Sequence, residues 1–151
     1  MEIFPISLKL QQQRCLIVGG GHIAYRKAIL LHKAGAIIDV VAPEIDENLL
    51  EIVHKSTGKF LQHAFVETDL EHPYRLVIAA TNQAKVNHLV FDLCEQRNLL
   101  VNSVDDIPHC RFMVPAIIDR SPWWFLLLQM AHLQYCPVSY VPRLKVCCRM
   151  V

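Results

Sequence analysis

The sequence has little net charge and few charged residues. Its 151 residues carry a formal net charge of +1, and only 19% of them are Asp, Glu, Lys or Arg. Because the basic residues are scattered, the chain has neither the electrostatic footprint of a nucleic-acid-binding protein nor a polybasic stripe for a membrane surface. We therefore expect no nucleic-acid partner and no membrane partner.

Long apolar segments are missing as well. Residues 1–5 lack the positive charge and the apolar run with which a signal peptide begins. The longest apolar run near the other end, residues 123–128, is too short to cross a bilayer. Without an export signal, we expect a cytoplasmic protein.

The cysteines form no recognisable zinc-binding pattern. They lie at positions 15, 94, 110, 136, 147 and 148, without a Cys-x-x-Cys pair or a matching histidine spacing. His109 and Cys110 are neighbours, but two ligands without a third do not define a metal site. We predict buried or incidental thiols in a reducing compartment, and no metal site.

Hydrophobic residues are abundant, at 53% of the chain, and they occur in short runs. This fraction argues against disorder, and the length suits one domain or one domain plus part of another. Residues 14–18 form a short run that is apolar after Arg14, and three glycines follow it. Such a run is typical of a strand buried on both faces of a parallel sheet.

Strand patterns and helix patterns alternate along the chain. The predicted strands are residues 14–18, 36–42, 75–80 and 99–102, with residues 59–65 as an edge strand. The predicted helices are residues 22–34 with Gly35 as the stop, residues 46–54, and a third from a Thr81 and Asn82 cap to about Arg97. This alternation predicts an α/β fold with a parallel sheet and right-handed crossovers.

The pattern Gly19-x-Gly21-x-x-Ala24 lies between the first strand and the first helix. In a dinucleotide-binding turn, the first glycine allows the tight turn and the second allows backbone to approach a pyrophosphate. The small third residue lets the helix pack on the strand, and the helix N-terminus faces the phosphates. The motif therefore predicts a dinucleotide site, with a purely structural glycine turn as the alternative.

An acidic residue near the end of the second strand would hold a ribose hydroxyl of the dinucleotide. Glu44 lies just past that strand and is the better candidate, whereas Asp39 lies inside it and could be a solvated edge group. No Arg or Lys immediately follows this strand, which favours NAD over NADP as the cofactor.

Several longer stretches resemble the precorrin-2 dehydrogenase and sirohydrochlorin ferrochelatase module of siroheme synthases. They are Gly-Gly-Gly-His-Ile-Ala-Tyr-Arg-Lys-Ala at 19–28, Val-Val-Ala-Pro at 40–43, Ile-Ala-Ala-Thr at 78–81, Asn-Ser-Val-Asp-Asp at 102–106 and Pro-Ala-Ile-Ile-Asp-Arg-Ser-Pro at 115–122. The resemblance runs in order from about residue 3 to residue 122. It is specific, because the first and last of these strings rarely occur together elsewhere.

The resemblance implies a Rossmann-like NAD-binding domain over residues 1–112, followed by the start of a dimerisation region over residues 113–151. The implied activity is NAD-dependent oxidation of precorrin-2 to sirohydrochlorin. In many members of the family, chelation of ferrous iron as a substrate, a lyase reaction, completes siroheme biosynthesis. The implied partners are the tetrapyrrole substrate and a second copy of the chain.

The resemblance also implies roles for individual residues. His22, Ile23, Pro43 and Glu44 match family positions that contact NAD, and Asp105 matches the catalytic carboxylate. Together with the glycine turn, the predicted cofactor-binding residues are Gly19, Gly21, His22, Ile23, Ala24, Pro43, Glu44 and Thr81.

A carboxylate at Asp105 suits the chemistry, because dehydrogenation releases a proton and metal insertion displaces pyrrole protons. The alternative is that Asp105 belongs to an ordinary solvated turn. The substrate carries eight carboxylates, so cationic side chains should line its cleft. Arg26, Arg111 and Arg120 are the candidates, each with a plain surface charge as the alternative.

After Pro122 the sequence departs from the family. If Pro122 onward is given permitted codons and read from the third base of the Pro122 codon, the product can be the family's continuation, including a Gly-Thr-Ser-Pro turn. Our hypothesis is that a single-base frameshift altered residues 123–151 and truncated the dimerisation region. Resequencing across the Pro122 codon tests it, because an intact reading frame there contradicts the hypothesis.

Two other functions stay open at this point. A non-catalytic NAD-binding module, such as a redox sensor, would keep the glycine turn without needing Asp105. An inactive remnant of a broken gene would need neither NAD binding nor catalysis.

Overall fold

The computed structural model describes residues 4–104, 106–120 and 123–127. The chain divides into two compact units, Met1–Phe112 and Met113–Val151. The first unit contains a five-stranded parallel sheet, and the second contains a two-stranded antiparallel ribbon. The predicted Rossmann-like α/β fold is therefore confirmed.

The order of the strands across the sheet is β3-β2-β1-β4-β5. The strands are β1 (Arg14–Val18), β2 (Ile37–Val41), β3 (Phe60–Leu61), β4 (Leu76–Ala79) and β5 (Leu100–Ser103). The helices are α1 (His22–Lys33), α2 (Glu47–Lys55) and α3 (Ala84–Gln96). Since β1 pairs with both β2 and β4, the chain reverses its direction of travel across the sheet beside β1.

The core lies on both faces of this sheet. Alternate residues of β1 point to opposite faces, so Cys15 and Ile17 pack with α1 and α2 while Leu16 and Val18 pack with α3. On α1, Ala24, Ala28 and Leu31 form the buried stripe. The prediction of a first strand buried on both faces is confirmed.

Helix α1 ends where the sequence predicts. Ala34 is its C-cap, and Gly35 follows with a φ of +75°, a left-handed conformation that glycine adopts without the steric cost of a Cβ. Helix α2 begins at an Asp46 cap, whose Oδ1 accepts hydrogen bonds from the N–H groups of Asn48 and Leu49 at 2.9 and 3.4 Å.

The predicted start of α3 is wrong by about two residues. The helix begins at Ala84 after a Gln83 N-cap that makes no side-chain capping bond. Thr81 instead stabilises the turn, because its hydroxyl lies 2.7 Å from Asn87 Oδ1 and its N–H donates to the same oxygen at 3.2 Å.

The edge strand predicted over residues 59–65 is much shorter than expected. Only Phe60 and Leu61 pair with β2, at Val40 and Val41. The last backbone bond between the two segments runs from the Ala42 N–H to the Leu61 carbonyl at 3.2 Å. The two segments separate after this bond, where β2 leads into Pro43 and the loop to α2.

Asp39 is a buried residue of β2, and its interpretation as a solvated edge group was wrong. Only 2% of its surface is exposed. Its carboxylate accepts bonds from Arg14 Nη1 at 2.8 and 3.1 Å, from the Lys59 N–H at 2.8 Å and from the Tyr74 hydroxyl at 3.3 Å. A buried carboxylate needs such partners, and Asp39 joins β1 and the segments before β3 and β4 to β2.

The second unit consists, in its described part, of strands β6 (Ala116–Arg120) and β7 (Trp123–Leu127). They pair antiparallel, from Ala116 opposite Leu127 to Arg120 opposite Trp123. In the part of the chain that the structure describes, no helix is long and apolar enough to cross a membrane.

Three of the cysteines are described, and all three are free thiols. Cys15 and Cys94 are fully buried, as predicted, whereas Cys110 is half-buried. Burial raises the pKa of both Cys15 and Cys94 to about 12, since the charged thiolate is poorly solvated in the core.

We predict that Cys15 and Cys94 resist alkylation in the folded protein at pH 8. The thiolate is the reactive form, and a pKa of about 12 leaves almost none of it at that pH. Iodoacetamide labelling followed by peptide mass spectrometry, with and without urea, measures this. Labelling of Cys15 at the same rate in both conditions would contradict the prediction.

Candidate dinucleotide-binding cleft

A cleft of about 730 Å³ opens at the carboxyl-terminal edge of the parallel sheet. Val18 and Val41, the last residues of β1 and β2, form its floor together with Ala80, which directly follows β4. Ligands of open α/β sheets bind at this edge, beside the strand where the chain reverses direction. The cleft therefore lies where the glycine motif predicts a dinucleotide.

Gly19 makes the tight turn out of β1. Its φ is +122°, and a Cβ built on it would lie 2.4 Å from the Ala80 carbonyl oxygen. Its N–H donates to the Val41 carbonyl at 2.9 Å. Only glycine fits here, because the turn passes between the ends of β2 and β4.

Gly20 is equally constrained, although the motif treats it as a variable position. A Cβ on Gly20 would lie 1.9 Å from the Glu44 carbonyl oxygen. Its own carbonyl accepts a bond from the Asp46 N–H at 2.8 Å. At Gly20 the loop after β1 thus packs directly on the loop after β2. The run of three glycines is the sequence signal that could have indicated a need for glycine at this position.

Gly21 differs from its two neighbours, because a Cβ built on it would meet nothing within 4 Å. The residue is exposed, lines the cleft and is the N-cap of α1. A glycine that the protein does not need for its own packing leaves space for a ligand to approach the backbone. This is the cradle that a pyrophosphate requires, so the residues present fit a dinucleotide.

The first turn of α1 is suited to an anion. It has no side-chain cap, and no acidic residue lies in it. Its backbone N–H groups and the positive end of the helix dipole therefore face the cleft without a competing carboxylate of their own.

Most of the predicted cofactor-binding residues come together in this cleft. Seven of the eight line it: Gly19, Gly21, His22, Ile23, Pro43, Glu44 and Thr81. Ala24 does not, because it is fully buried in the core, where its small side chain lets α1 pack on the sheet. Ile23, by contrast, is a large apolar side chain with 42% of its surface exposed at the cleft.

Further lining residues were not identified from the sequence. They are Ile45, Asp46, Ala64, Phe65, Asn82, Gln83 and Val86. They belong to loops and to the start of α3, where no periodic pattern singles out a residue, so only the sheet topology places them at the site.

The charge of the cleft is acidic rather than basic. In the part of the chain that the structure describes, its lining includes Glu44 and Asp46 and no Lys or Arg. The hydrogen bond from the Asn48 side chain, together with two backbone N–H groups, lowers the pKa of Asp46, so this carboxylate is ionised at neutral pH. An anionic ligand must therefore be held by backbone N–H groups rather than by cationic side chains.

Two of the predicted substrate-binding arginines, Arg26 and Arg111, do not line this cleft. Arg26 is exposed on α1. Arg111 forms an ion pair with Glu95 of α3, and its guanidinium lies 5.6 Å from the centre of the Phe91 ring. Arg120 belongs to β6, and its side chain lies outside the described residues.

Asp105, the predicted catalytic residue, lies outside the described residues. Its neighbours are described: β5 ends at Ser103, and the Val104 N–H donates to the Ala79 carbonyl at 2.9 Å. The loop after β5 therefore leaves the sheet at the same edge as the cleft.

Three side chains converge just beyond that position. Asp106 Oδ2 lies 2.8 Å from His88 Nε2 and 2.8 Å from His109 Nδ1. The two imidazole rings stack with their centres 4.2 Å apart. His88 belongs to α3, where nothing in the helical pattern distinguishes it, so the sequence could not show that it joins His109.

Cys110 does not take part in this group, although it adjoins His109 in sequence. Its Sγ donates to the Ser103 and Asp106 carbonyls at 3.0 and 3.2 Å, and it accepts a bond from Asn102 Nδ2 at 3.3 Å. Burial raises the pKa of its thiol. The thiol thus ties the loop to β5.

Comparison with known families agrees with the cleft. Residues 6–116 match the family NAD_binding_7, whose description is "Putative NAD(P)-binding". The chain belongs to this family. This membership supports the prediction of NAD as the cofactor.

Two similar proteins are siroheme synthases. The protein from Acinetobacter baylyi is 67% identical over 91% of this chain and 30% of its own length. The protein from Chromobacterium violaceum is 48% identical over 81% of this chain and 26% of its own length. The predicted resemblance to siroheme synthases is confirmed, and the chain spans less than a third of the length of these relatives.

Among solved structures, the fold is similar to that of SirC, a precorrin-2 dehydrogenase. The TM-score is 0.76 at 24% identity, and the match covers 97% of this chain and 69% of that one. At this identity the likeness concerns the fold, which it confirms.

Proposed function

We propose that this chain is the NAD-binding part of a precorrin-2 dehydrogenase, an oxidoreductase of siroheme biosynthesis. One observation carries the proposal: a cleft built around Gly19, Gly20 and Gly21 lies in a chain that is 67% identical to a siroheme synthase. The substrate is then precorrin-2, and the product is sirohydrochlorin.

In this proposal, backbone groups hold the cofactor. The N–H groups at the start of α1 bind the pyrophosphate, and the open face of Gly21 lets it approach. The exposed side chain of Ile23 supplies apolar contact. His22, Pro43 and Thr81 complete the binding surface.

Glu44 holds the ribose hydroxyls and selects NAD. It lies on the rim of the cleft immediately past β2, and among the described residues no Lys or Arg lines the cleft. The additional phosphate of NADP would therefore meet a carboxylate without a neutralising Arg or Lys.

Asp105 is the proposed general base. When bound in the cleft, NAD would supply the hydride acceptor for the oxidation of precorrin-2. Asp105 takes up the proton that leaves the tetrapyrrole, and it follows a strand that ends at the edge of the cleft. Insertion of ferrous iron, which also displaces protons, is a second reaction that the same carboxylate could serve.

The experiment is an anaerobic assay of the 151-residue chain with precorrin-2 and NAD, followed by sirohydrochlorin absorbance. Asp105→Asn should keep NAD binding and lose about a hundredfold or more of the oxidation rate, the usual contribution of a general base. The matched control is Asp92→Asn, an exposed carboxylate of α3, which should keep the wild-type rate. Adding ferrous or cobaltous ion to the same assay tests chelation.

The alternatives give different results in this assay. A non-catalytic NAD-binding module binds NAD but forms no sirohydrochlorin even as the wild-type chain. An inactive remnant does neither, so NAD produces no rise in its melting temperature. Equal rates for the wild type and Asp105→Asn would contradict the role of Asp105.

We also propose that residues 113–151 begin a dimerisation region. A two-stranded ribbon is at best marginally stable by itself in water, so β6 and β7 need a further partner, for which a second copy is our proposal. Sedimentation of the chain as a monomer at all concentrations would contradict it.

The free thiols of the first unit suit the reducing cytoplasm, which we propose as the location.

The frameshift hypothesis for residues 123–151 is the alternative to the proposed dimer, because a shift would replace every residue of β7. The match with the Acinetobacter baylyi protein covers 138 residues and therefore extends beyond Pro122, whereas the match with the Chromobacterium violaceum protein covers 122. The longer match weighs against a shift directly after Pro122. Resequencing of the coding DNA is the deciding measurement.

A further inference from the structure

We propose that His88, Asp106 and His109 form a binding site for a divalent transition-metal ion of the Zn²⁺, Co²⁺ or Fe²⁺ class. The candidate ligand atoms are His88 Nε2, Asp106 Oδ2 and His109 Nδ1, and they all lie within 4.8 Å of one another. The site is separate from the glycine-lined cleft, and it does not depend on the proposed dehydrogenase activity.

The set of donors selects this class of ion. Two imidazole nitrogens and one carboxylate oxygen suit Zn²⁺ and Fe²⁺, whereas Mg²⁺ and Ca²⁺ prefer oxygen ligands alone. A carboxylate must be ionised to bind a metal. Its close contact with His109 and its hydrogen bond with His88 hold the pKa of Asp106 below its usual range.

The distances are close to those that a metal ion needs. Asp106 Oδ2 lies 2.8 Å from each ring nitrogen. Bonds of about 2.1 Å to a tetrahedral ion place ligand atoms roughly 3.4 Å apart. Each of these two separations therefore has to widen by about 0.6 Å, which rotation of exposed or half-buried side chains can supply.

His109 provides a second, independent indication. Its Nδ1 atom is buried and makes no aligned hydrogen bond within the described residues, although it lies close to Asp106 Oδ2. A buried ring nitrogen without an aligned partner is costly, and a metal ion would satisfy it. The edge of the Phe91 ring, 5.0 Å away between centroids, keeps the His109 ring in place.

The site is open on one side. The exposed fractions of the three side chains are 45% for His88, 27% for Asp106 and 32% for His109. Three protein ligands with solvent access leave a fourth position for water or another ligand, as in exchangeable metal sites. Because His88 lies on α3 while Asp106 and His109 follow β5, the ion would tie the loop after β5 to α3.

The test is calorimetric titration of the full 151-residue chain with Zn²⁺, and a parallel titration with Co²⁺ followed by visible absorption. His88→Ala and His109→Ala should each weaken zinc binding at this site by at least tenfold and remove its Co²⁺ spectrum. Asp106→Asn should weaken it as well, because it removes the only negative ligand.

The control is His54→Ala, which removes an exposed histidine of α2 that lies outside the group. It should bind zinc as the wild type does. Zinc that binds elsewhere, at other histidines or cysteines, would bind equally to the wild type and to every variant. It would therefore not contribute to the difference between their titrations. Melting curves without metal, and titration with NAD, establish that each variant is folded with its cleft intact.

Zn²⁺ should also raise the melting temperature of the wild type more than that of His88→Ala, because a ligand that binds only the folded state stabilises it. Identical zinc titrations for the wild type, His88→Ala and His109→Ala would overturn the proposal. So would a wild-type chain that binds no zinc, whatever its affinity for NAD.

Discussion

Gly20→Ala is expected to destabilise the folded domain by about 3 kcal/mol or more, the upper range for overpacking in a rigid environment. The new Cβ would lie 1.9 Å from the Glu44 carbonyl oxygen, which is backbone and cannot rotate away. The substitution also threatens the bond from the Asp46 N–H to the Gly20 carbonyl. Urea unfolding followed by circular dichroism measures the loss.

Gly21→Ala is the matched control, one residue further along the same turn. Its Cβ meets nothing within 4 Å, so its free energy of unfolding should stay within about 1 kcal/mol of the wild type. Its dissociation constant for NAD should nevertheless rise at least tenfold, a loss of about 1.4 kcal/mol, because the methyl group occupies space that the pyrophosphate needs. Unchanged NAD binding in Gly21→Ala would contradict the placement of the cofactor.

Asp39→Ala should strongly destabilise the folded domain. Each buried polar group that loses its partner costs about 1–3 kcal/mol, whereas Arg14, whose side chain is 35% exposed, can be partly solvated. Here the substitution leaves Arg14, the Tyr74 hydroxyl and the Lys59 N–H without their shared acceptor. Since small domains are stable by about 5–15 kcal/mol, the variant should unfold at much lower urea concentration.

A second measurement separates the loss of the Asp39 carboxylate's interactions from a general loss of packing. Burial, and after it the negative charge of Asp39, raises the pKa of Tyr74 above its ordinary value. In Asp39→Asn the charge is gone, so the pKa of Tyr74 should fall in a spectrophotometric titration of the folded protein. Asp92→Ala, at an exposed position, should change neither quantity. An unchanged titration in Asp39→Asn would show that the carboxylate does not act on Tyr74.

The fold could be predicted from the sequence because its strands are read from local patterns. The run of β1 and the glycines after it are short-range signals, and each helix follows at the expected spacing. Asp39 could not be interpreted in the same way. Whether an acidic residue within a strand is solvated or buried depends on Arg14 and Tyr74, which lie far from it in sequence and meet it only in the folded sheet.

In the candidate site, too, some residues could be predicted from local sequence and others depend on contacts between distant segments. The motif residues Gly19 and Gly21 were found because their roles depend on the turn itself. The need for glycine at position 20 arises from contact with Glu44, and the group around Asp106 arises from contact between α3 and the loop after β5. Such contacts between distant segments leave no periodic signal in a single sequence.

The position of β1 in the middle of the sheet constrains when this protein can fold during its synthesis. One edge of β1 pairs with β2, which follows in the sequence after a single helix. The other edge pairs with β4, which is synthesised later, and there Cys15 lies opposite Leu76. Until the ribosome has released that segment, β1 presents an unpaired apolar edge of the kind that promotes aggregation. A nascent chain paused between β3 and β4 is therefore the form of this protein most in need of a chaperone.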